Sequence, residues 1–318
     1  MSLLFRTGLT IRVLRVAVSL ALLATLAWWL DVGALIDRLA GFDLRWALVG
    51  VAISLPQIGL LAFRWRFTAA RLGLDLPFGA ALREYYLALF LNQVLPGGVL
   101  GDVSRAWRHG RAGPEPRVGP AARAVILERG SGQVVMGVVA ALSLVSLPLA
   151  FGAVPATLAL AVCGVGGAAL AALLTFGRRF RTGSLGTFRN DAHTALLVRD
   201  ALPVQLISST LVVGTYLATY VVAARAVGVS TPLWTLLPLV APVLLSMLIP
   251  ATVAGWGVRE ATAAALWGAV GLTVVDGVAI SAAYGILVLL SSLPGALVLL
   301  SSRRIEKGRL QEDSYNSS

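Results

Sequence analysis

The sequence predicts an all-α polytopic membrane protein with about 7–9 membrane helices, of which one or two are re-entrant or broken. Apolar residues make up 58% of the 318 positions and charged residues only 13%, whereas soluble domains carry about a quarter. The mean hydropathy is +0.84. A water-soluble fold cannot cover so much apolar surface. This composition also excludes a disordered chain, a nucleic-acid-binding domain and a disulfide-stapled module.

Runs of mostly apolar residues, each near the length of about 20 that spans a bilayer, predict the membrane helices. Residues 13–30 form the first run, which ends in two tryptophans and is predicted to be a retained anchor rather than a cleaved signal peptide. Residues 46–63 form the second run. Residues 78–95 form a third run, which contains Arg83 and Glu84 and ends in a stretch rich in glycine and proline.

The net charge of +11 comes largely from arginines in the loops between these runs, and positive loops favour the cytoplasmic side. Arginines precede the first run and follow the second, so both positions are predicted to be cytoplasmic. The loop over residues 102–129 is equally basic, but a complete crossing by residues 78–95 would place it outside. The sequence therefore predicts that the third run turns back as a re-entrant hairpin and that residues 92–101 line a cavity.

The second half of the chain predicts a similar alternation. Residues 130–150 and 155–177 form two spans before a basic loop, and residues 201–224 form another span after it. The last span, residues 277–300, must end inside because arginines follow it. Residues 233–275 must then begin and end outside, either as two crossings or as a second broken hairpin, and charge alone leaves both possibilities open.

A single transmembrane domain is predicted over residues 1–302, followed by a short polar cytoplasmic tail over residues 303–318. Both termini are predicted to be cytoplasmic, in a cell membrane that we expect to be a bacterial inner membrane.

The two glycine-rich break segments align without a gap when residues 95–105 are laid over residues 249–259. The matching positions are Pro96 with Pro250, Gly101 with Gly255 and Arg105 with Arg259. Such short matches also arise by chance in apolar, glycine-rich chains. Because the first segment would enter from inside and the second from outside, the match predicts possible inverted repeats, which in transporters place a binding site near the bilayer midplane.

Both segments are predicted to interrupt their helices, since proline removes an amide donor and glycine relaxes the backbone. A helix that begins at such a break presents free N–H groups and the positive end of its dipole, which suits an anion. The predicted helix breaks are Pro96, Gly97, Gly98 and Gly101 in the first segment, and Pro250, Gly255 and Gly257 in the second.

Charged residues inside apolar runs are the candidate headgroup ligands, because each costs about 2.5–3.5 kcal/mol at mid-membrane. Arg105 and Arg259 follow the two breaks and are the predicted phosphate ligands. The remaining candidates are Asn92, Asp102, Arg83, Glu84, Glu128, Arg129 and Glu260. Two simpler interpretations stay open: Asp102 can pair with Arg105 three residues on, and the Arg83-Glu84 and Glu128-Arg129 pairs can be interfacial anchors. No catalytic residue, metal ligand or cofactor is predicted.

Several stretches together resemble one known family. They are residues 63–66, Tyr85-Tyr86, residues 92–106, Glu128-Arg129 and residues 255–260. The pattern resembles the lysylphosphatidylglycerol synthase transmembrane-region family, also called flippase-like domain proteins, over nearly the whole chain. Its best-known members carry a cytosolic aminoacyl-transferase domain that is not expected here, so synthase activity is not carried over. The resemblance implies an integral membrane domain that handles phospholipid or lipid-linked substrates.

The sequence thus favours a non-enzymatic lipid transporter, flippase-like, that passes a lipid headgroup through a polar intramembrane cavity. Two alternatives remain open: an integral membrane enzyme acting on a lipid phosphate, and a non-transporting partner of an envelope glycosyltransferase. The expected partners are membrane lipids, phospholipid or lipid-linked sugar. The lipid itself, the direction and energy source of movement and the oligomeric state are not fixed by the sequence.

Overall fold

The computed structural model describes residues 2–95, 98–151, 183–248 and 252–301. Within these ranges the chain is helical and contains no β-strand, so the predicted all-α class is confirmed. The predicted span over residues 155–177 and the predicted tail lie outside the described residues. The same holds for Pro96, Gly97 and Pro250 among the predicted breaks.

The described ranges contain eleven α-helices. In the first half these are α1 (Ser2–Trp29), α2 (Val32–Ala40), α3 (Leu44–Arg71), α4 (Phe78–Val94), α5 (Leu100–Gly110) and α6 (Val118–Phe151). In the second half they are α7 (Gly183–Ala192), α8 (Leu202–Ala226), α9 (Leu233–Ser246), α10 (Val258–Ala269) and α11 (Val274–Ser292). A π-helical turn, His193–Leu197, follows α7.

Among the described residues, four helices are long and apolar enough to cross a membrane: Leu44–Arg71, Val118–Leu147, Leu202–Ala226 and Val274–Ser301. A fifth span results if α1 and α2, which are bent by 103° relative to each other, count as one. The multi-pass fold is thereby established, whereas the predicted total of 7–9 is not confirmed. The helices α4, α5, α9 and α10 are only about 17–26 Å long, which is shorter than a hydrocarbon core of about 30 Å.

Helices α4 and α5 form an antiparallel pair, which we call the first hairpin. Asn92 near the end of α4 donates to Asp102 near the start of α5 (3.0 Å), while Glu84 near the start of α4 accepts from Arg108 near the end of α5 (2.6 Å). The end of α4 therefore lies beside the start of α5, and the start of α4 lies beside the end of α5. Both open ends of the hairpin lie where α3 finishes, which we call the Arg71 end of the molecule.

Backbone contact holds the first hairpin together. A Cβ atom placed on Gly101 would lie 2.0 Å from the carbonyl oxygen of Ala88, so no side chain larger than hydrogen fits at this position. The return helix α5 packs in turn against α6. The hairpin is thus a close-packed unit that inserts partway along the long helices.

Helices α9 and α10 form the second hairpin, which opens toward the opposite end of the molecule. We call it the Asp43 end, because Asp43 N–H donates to the Ala226 carbonyl (2.8 Å) where α3 begins and α8 finishes. Helix α9 starts a short loop after Ala226. Helix α10 ends just before Asp276, which pairs with Arg38 of α2 (2.9 Å) at the same end. The two helices are about 21 and 18 Å long, shorter than a hydrocarbon core of about 30 Å, and this favours the broken hairpin over two crossings.

The two halves share one order of elements: a long helix, two short helices that form a hairpin, and a second long helix. Their hairpins open at opposite ends, and their tips meet, since a Cβ atom on Gly98 would lie 3.9 Å from Ala254 Cα. The gapless sequence alignment is not the structural one. It pairs Leu100, where α5 begins, with Ala254, but α10 begins at Val258. The two halves therefore repeat the same order of helices, but individual residues of the two halves do not correspond in the way the gapless alignment pairs them.

Candidate functional site

A cavity of about 630 Å³ lies between the two hairpin tips, within the usual range for small-molecule sites. The cavity extends from the middle of α3, where Ser54 and Ile58 lie on its wall, toward the Arg71 end, where Trp107 and Val118 line it. One side is formed by the first hairpin and α6. The other is formed by the second hairpin, α8 and α11.

Most of the cavity wall is apolar, and its charge is confined to one side. Among the described lining residues, only Asp102 of α5 and Arg129 of α6 carry a charged side chain. No group of three His, Cys, Asp or Glu side chains in the described residues is arranged to hold a metal ion. The chemistry available on this wall is therefore that of a guanidinium group and its carboxylate partner.

Asp102 is the charged group around which the first hairpin tip is organised. It accepts hydrogen bonds from Arg105 Nε (2.9 Å), Asn92 Nδ2 (3.0 Å) and Arg129 Nε (3.2 Å), and it forms an ion pair with Arg129 Nη2 (2.7 Å). The other atom of the same amide, Asn92 Oδ1, accepts from the N–H of Gly101 (2.7 Å) at the start of α5. One N–H of the first turn of α5 is therefore bonded by a side chain of the same hairpin.

Glu128 of α6 is completely buried and joins two arginines from different helices. Its Oε1 accepts from Arg64 Nη2 of α3 (2.6 Å) and its Oε2 from Arg105 Nη2 of α5 (2.7 Å). Tyr85 donates its hydroxyl to the same carboxylate (3.2 Å), and Arg64 also donates to Ser209 Oγ of α8 (3.1 Å). One carboxylate thus connects the first hairpin to the long helices around it.

These charged side chains form one group, which we call the first network. Its members are Arg64, Arg105, Arg129, Asp102 and Glu128. Three guanidinium groups face two carboxylates, so the first network keeps one positive charge in an apolar surrounding. One buried guanidinium atom, Arg105 Nη1, has no hydrogen-bond partner in the described residues. An uncompensated interior charge is costly, and an anion in the cavity would lower that cost.

The predicted phosphate ligand Arg105 does not line the cavity. Its side chain is fully buried between the rings of Trp65 (4.5 Å) and Tyr85 (4.3 Å) and is paired with Asp102, as the simpler interpretation of that spacing holds. Arg129, 33% exposed, is the guanidinium that reaches the cavity instead. Arg105 acts on the site through Asp102.

The second predicted phosphate ligand, Arg259, is also buried and paired. Its Nη2 contacts Glu260 Oε1 (2.6 Å), and its Nε donates to Ser281 Oγ of α11 (2.8 Å). Glu260 Oε2 accepts from the N–H of Gly257 (2.7 Å), so this carboxylate occupies the start of α10 where an anion was expected. Arg259, Glu260 and Ser281 form a second network, in which one arginine faces one carboxylate, so it has no excess charge. It anchors the second hairpin to α11.

The remaining predicted residues fall into two places. Gly98, Gly255 and Gly257 lie in the breaks with φ of +61°, +81° and +92°, values that favour glycine. Gly101 is instead the second residue of α5, where it permits the contact with α4. Arg83 and Glu84 sit near the open end of the first hairpin and do not line the cavity, and the Arg83 side chain is 58% exposed. Their position fits the interfacial interpretation.

Arg64 is the main site residue that the sequence prediction missed. It follows the second apolar run and was therefore assigned to the flanking basic loop. Helix α3 continues to Arg71, however, and Arg64 is only 3% exposed. A signal was present, because Arg64 follows Leu61 and precedes Thr68 at helical spacing, on the buried face of α3.

The fold and the cavity define a multi-pass helical membrane protein whose polar groups converge between two opposed hairpins. The family model described as "Lysylphosphatidylglycerol synthase TM region" matches residues 12–295, nearly the whole chain. The chain belongs to this family, and the resemblance found in the sequence is confirmed. Comparison with curated proteins gives no match.

Proposed function

We propose that the protein moves the headgroup of a phospholipid or lipid-linked substrate across the membrane through the cavity, while the acyl chains stay in the bilayer. Carrying a charged headgroup through hydrocarbon is costly unless polar groups accompany it. The single observation that carries the proposal is the placement of Arg129, a member of the network with one uncompensated positive charge, on the wall of the cavity between the hairpin tips.

Arg129 is suited to receive a phosphate. Two of its nitrogens, Nε and Nη2, are directed to Asp102 (3.2 and 2.7 Å), and its Nη1 makes no hydrogen bond within the described residues. Guanidinium groups bind phosphate oxygens through paired N–H donors. A phosphate in the cavity would therefore share Arg129 with Asp102, and its negative charge would balance the first network.

The proposed orientation places the Arg71 end in the cytoplasm of a cell that carries the protein in its inner membrane. The described arginines at this end include Arg71, Arg83, Arg108, Arg111, Arg117, Arg123, Arg189 and Arg199, which accompany Asp75, Glu84, Glu115, Asp191 and Asp200. At the Asp43 end, Asp31, Asp37, Asp43 and Asp276 accompany Arg38, Arg45 and Arg225. This difference follows the preference of positive charge for the cytoplasmic side. A partnership with an envelope glycosyltransferase stays a prediction.

Arg129→Gln is the variant that tests the proposal. We expect it to slow lipid movement in reconstituted vesicles by about tenfold or more, the loss expected for a charge-assisted phosphate contact. Its fold should persist, because two guanidinium groups then face two carboxylates and the excess charge is gone. Arg83→Gln is the matched control, since this exposed arginine lies outside the cavity. Failure of the unmodified protein to move any lipid, or an unchanged rate in Arg129→Gln, would contradict the proposal.

A further inference from the structure

We infer that the substrate is a lipid phosphodiester of net charge −1 whose headgroup is uncharged and bears hydroxyl groups. This inference rests on the proposed function and narrows it. Three features of the cavity carry it: the net charge of the first network, the absence of an unpaired carboxylate among the described lining residues, and the hydroxyl side chains on the cavity wall.

The charge of the first network selects among headgroups. A headgroup of net charge −1 brings the network and its ligand to neutrality. A zwitterionic headgroup leaves one positive charge, and an aminoacylated headgroup of charge +1 raises the total to two. Because charges interact strongly in an apolar interior, these differences separate the three classes of lipid.

The cavity also offers no unpaired carboxylate and no unoccupied aromatic ring for an ammonium group among its described lining residues. Asp102, the only carboxylate there, already accepts hydrogen bonds from two arginines and an asparagine. Two of the aromatic rings on the wall are taken, since Trp107 faces Arg111 (4.0 Å) and Tyr284 faces Arg259 (5.4 Å). The third ring, Tyr216, borders a small cavity together with Arg64 and Arg129, which would repel a cation.

Five serine and threonine hydroxyl groups also line the cavity among its described residues. They belong to Ser54, Thr219, Thr252, Ser291 and Ser292. Ser54, Thr219 and Ser292 donate their protons to main-chain carbonyls, so their oxygens remain free to accept. Thr252 at the second hairpin tip is 2% exposed, and its Oγ1 has no partner in the described residues. A glycerol or sugar hydroxyl would donate to the acceptor oxygens of Ser54, Thr219 and Ser292. It would also pair with the unpartnered hydroxyl of Thr252.

A headgroup series in vesicles tests the charge selection. The probes share acyl chains and are phosphatidylglycerol, phosphatidylmethanol, phosphatidylethanolamine and lysyl-phosphatidylglycerol, with a polyprenyl-linked glycosyl phosphodiester as a fifth arm. We expect the two hydroxyl-bearing anions to move fastest and the cationic lipid at least about tenfold more slowly. The faster of those two anions shows whether the substrate is a glycerophospholipid or a polyprenyl-linked sugar. Equal rates for all probes would overturn the inference and leave the proposed function intact, whereas no movement of any probe would overturn both.

Thr252→Val tests the hydroxyl wall, because it removes an unpartnered hydroxyl while keeping the shape of the side chain. We expect the ratio of phosphatidylglycerol to phosphatidylmethanol rates to fall by about two- to tenfold, the effect of one lost hydrogen bond. Thr262→Val is the control: Thr262 lies in the same hairpin, but its hydroxyl bonds to the Val258 carbonyl (2.8 Å) and does not line the cavity. An unchanged ratio in a folded Thr252→Val protein would overturn recognition of the hydroxyl headgroup.

Discussion

Arg64 and Arg105 approach the two oxygens of Glu128 from different helices, at 2.6 and 2.7 Å, and all three side chains are buried. Removal of Glu128 leaves both guanidinium groups in an apolar surrounding without this partner, which costs far more than the ion pairs contribute net. The same holds for Arg259 and Glu260 in the second hairpin. These residues are therefore anchors of the fold, and Arg129 is the arginine available to a ligand.

Glu128→Gln tests this role at the residue scale. We expect it to lower the free energy of unfolding by about 3–5 kcal/mol, because three guanidinium groups would then face one carboxylate. Chemical denaturation in detergent measures the effect. Glu84→Gln is the control, since this carboxylate pairs with arginines near the open end of the first hairpin and is partly exposed. Equal losses in the two variants would show that Glu128 does not hold the network together.

Local spacing revealed only part of the site. Asp102 and Arg105 are three residues apart in a helix, so their pairing could be predicted as an alternative. The partner of Arg64 is Glu128, 64 residues further along the chain, and the contact depends on how α3 packs against α6. No sequence pattern gives that packing. The burial of Arg105 and Arg259 behind the cavity wall could not be predicted for the same reason.

At the scale of elements, charge patterning predicted that both ends of the first hairpin lie at one end of the molecule, but it did not predict the return helix. Residues 78–95 match α4, Phe78–Val94, whereas α5 (Leu100–Gly110) and the start of α6 (Val118–Phe151) lie in the segment predicted as a basic loop. The second hairpin stayed ambiguous, since two crossings and a hairpin leave its flanking loops on the same side. The contact between Arg38 and Asp276 places its open end beside α2, and this contact joins distant parts of the chain.

Gly101→Ala tests the packing of the first hairpin. The added Cβ would lie 2.0 Å from the Ala88 carbonyl oxygen, so α4 and α5 must separate. We expect a loss of more than about 3 kcal/mol in unfolding free energy, together with loss of lipid movement, measured by thermal denaturation in detergent and by the vesicle assay. Gly79→Ala in α4 is the matched control, because nothing lies within 4 Å of its Cβ position. A folded, active Gly101→Ala protein would contradict the close packing of the hairpin.

At the scale of the whole molecule, two hairpins inserted from opposite ends meet at a cavity that extends from the middle of the long helices toward the Arg71 end. Gly98 and Ala254 mark the meeting point, and neither half alone encloses the cavity. Because the tips meet, neither hairpin reaches the end of the molecule opposite its own open end. The space between the tips can hold a polar headgroup without forming a continuous open channel. This arrangement explains why broken helices and buried arginines occur in so apolar a chain.

Cysteine accessibility in intact cells or oriented vesicles tests this architecture most directly. In a background with Cys163→Ser, single cysteines replace the exposed Asp75 and Glu115 on either side of the first hairpin, and Ser230 and Thr273 on either side of the second. The account predicts that the cysteines at positions 75 and 115 react with an impermeant thiol reagent from one membrane face only. The cysteines at positions 230 and 273 are predicted to react from the other face only. Labelling of 75 and 115 from opposite faces would contradict it.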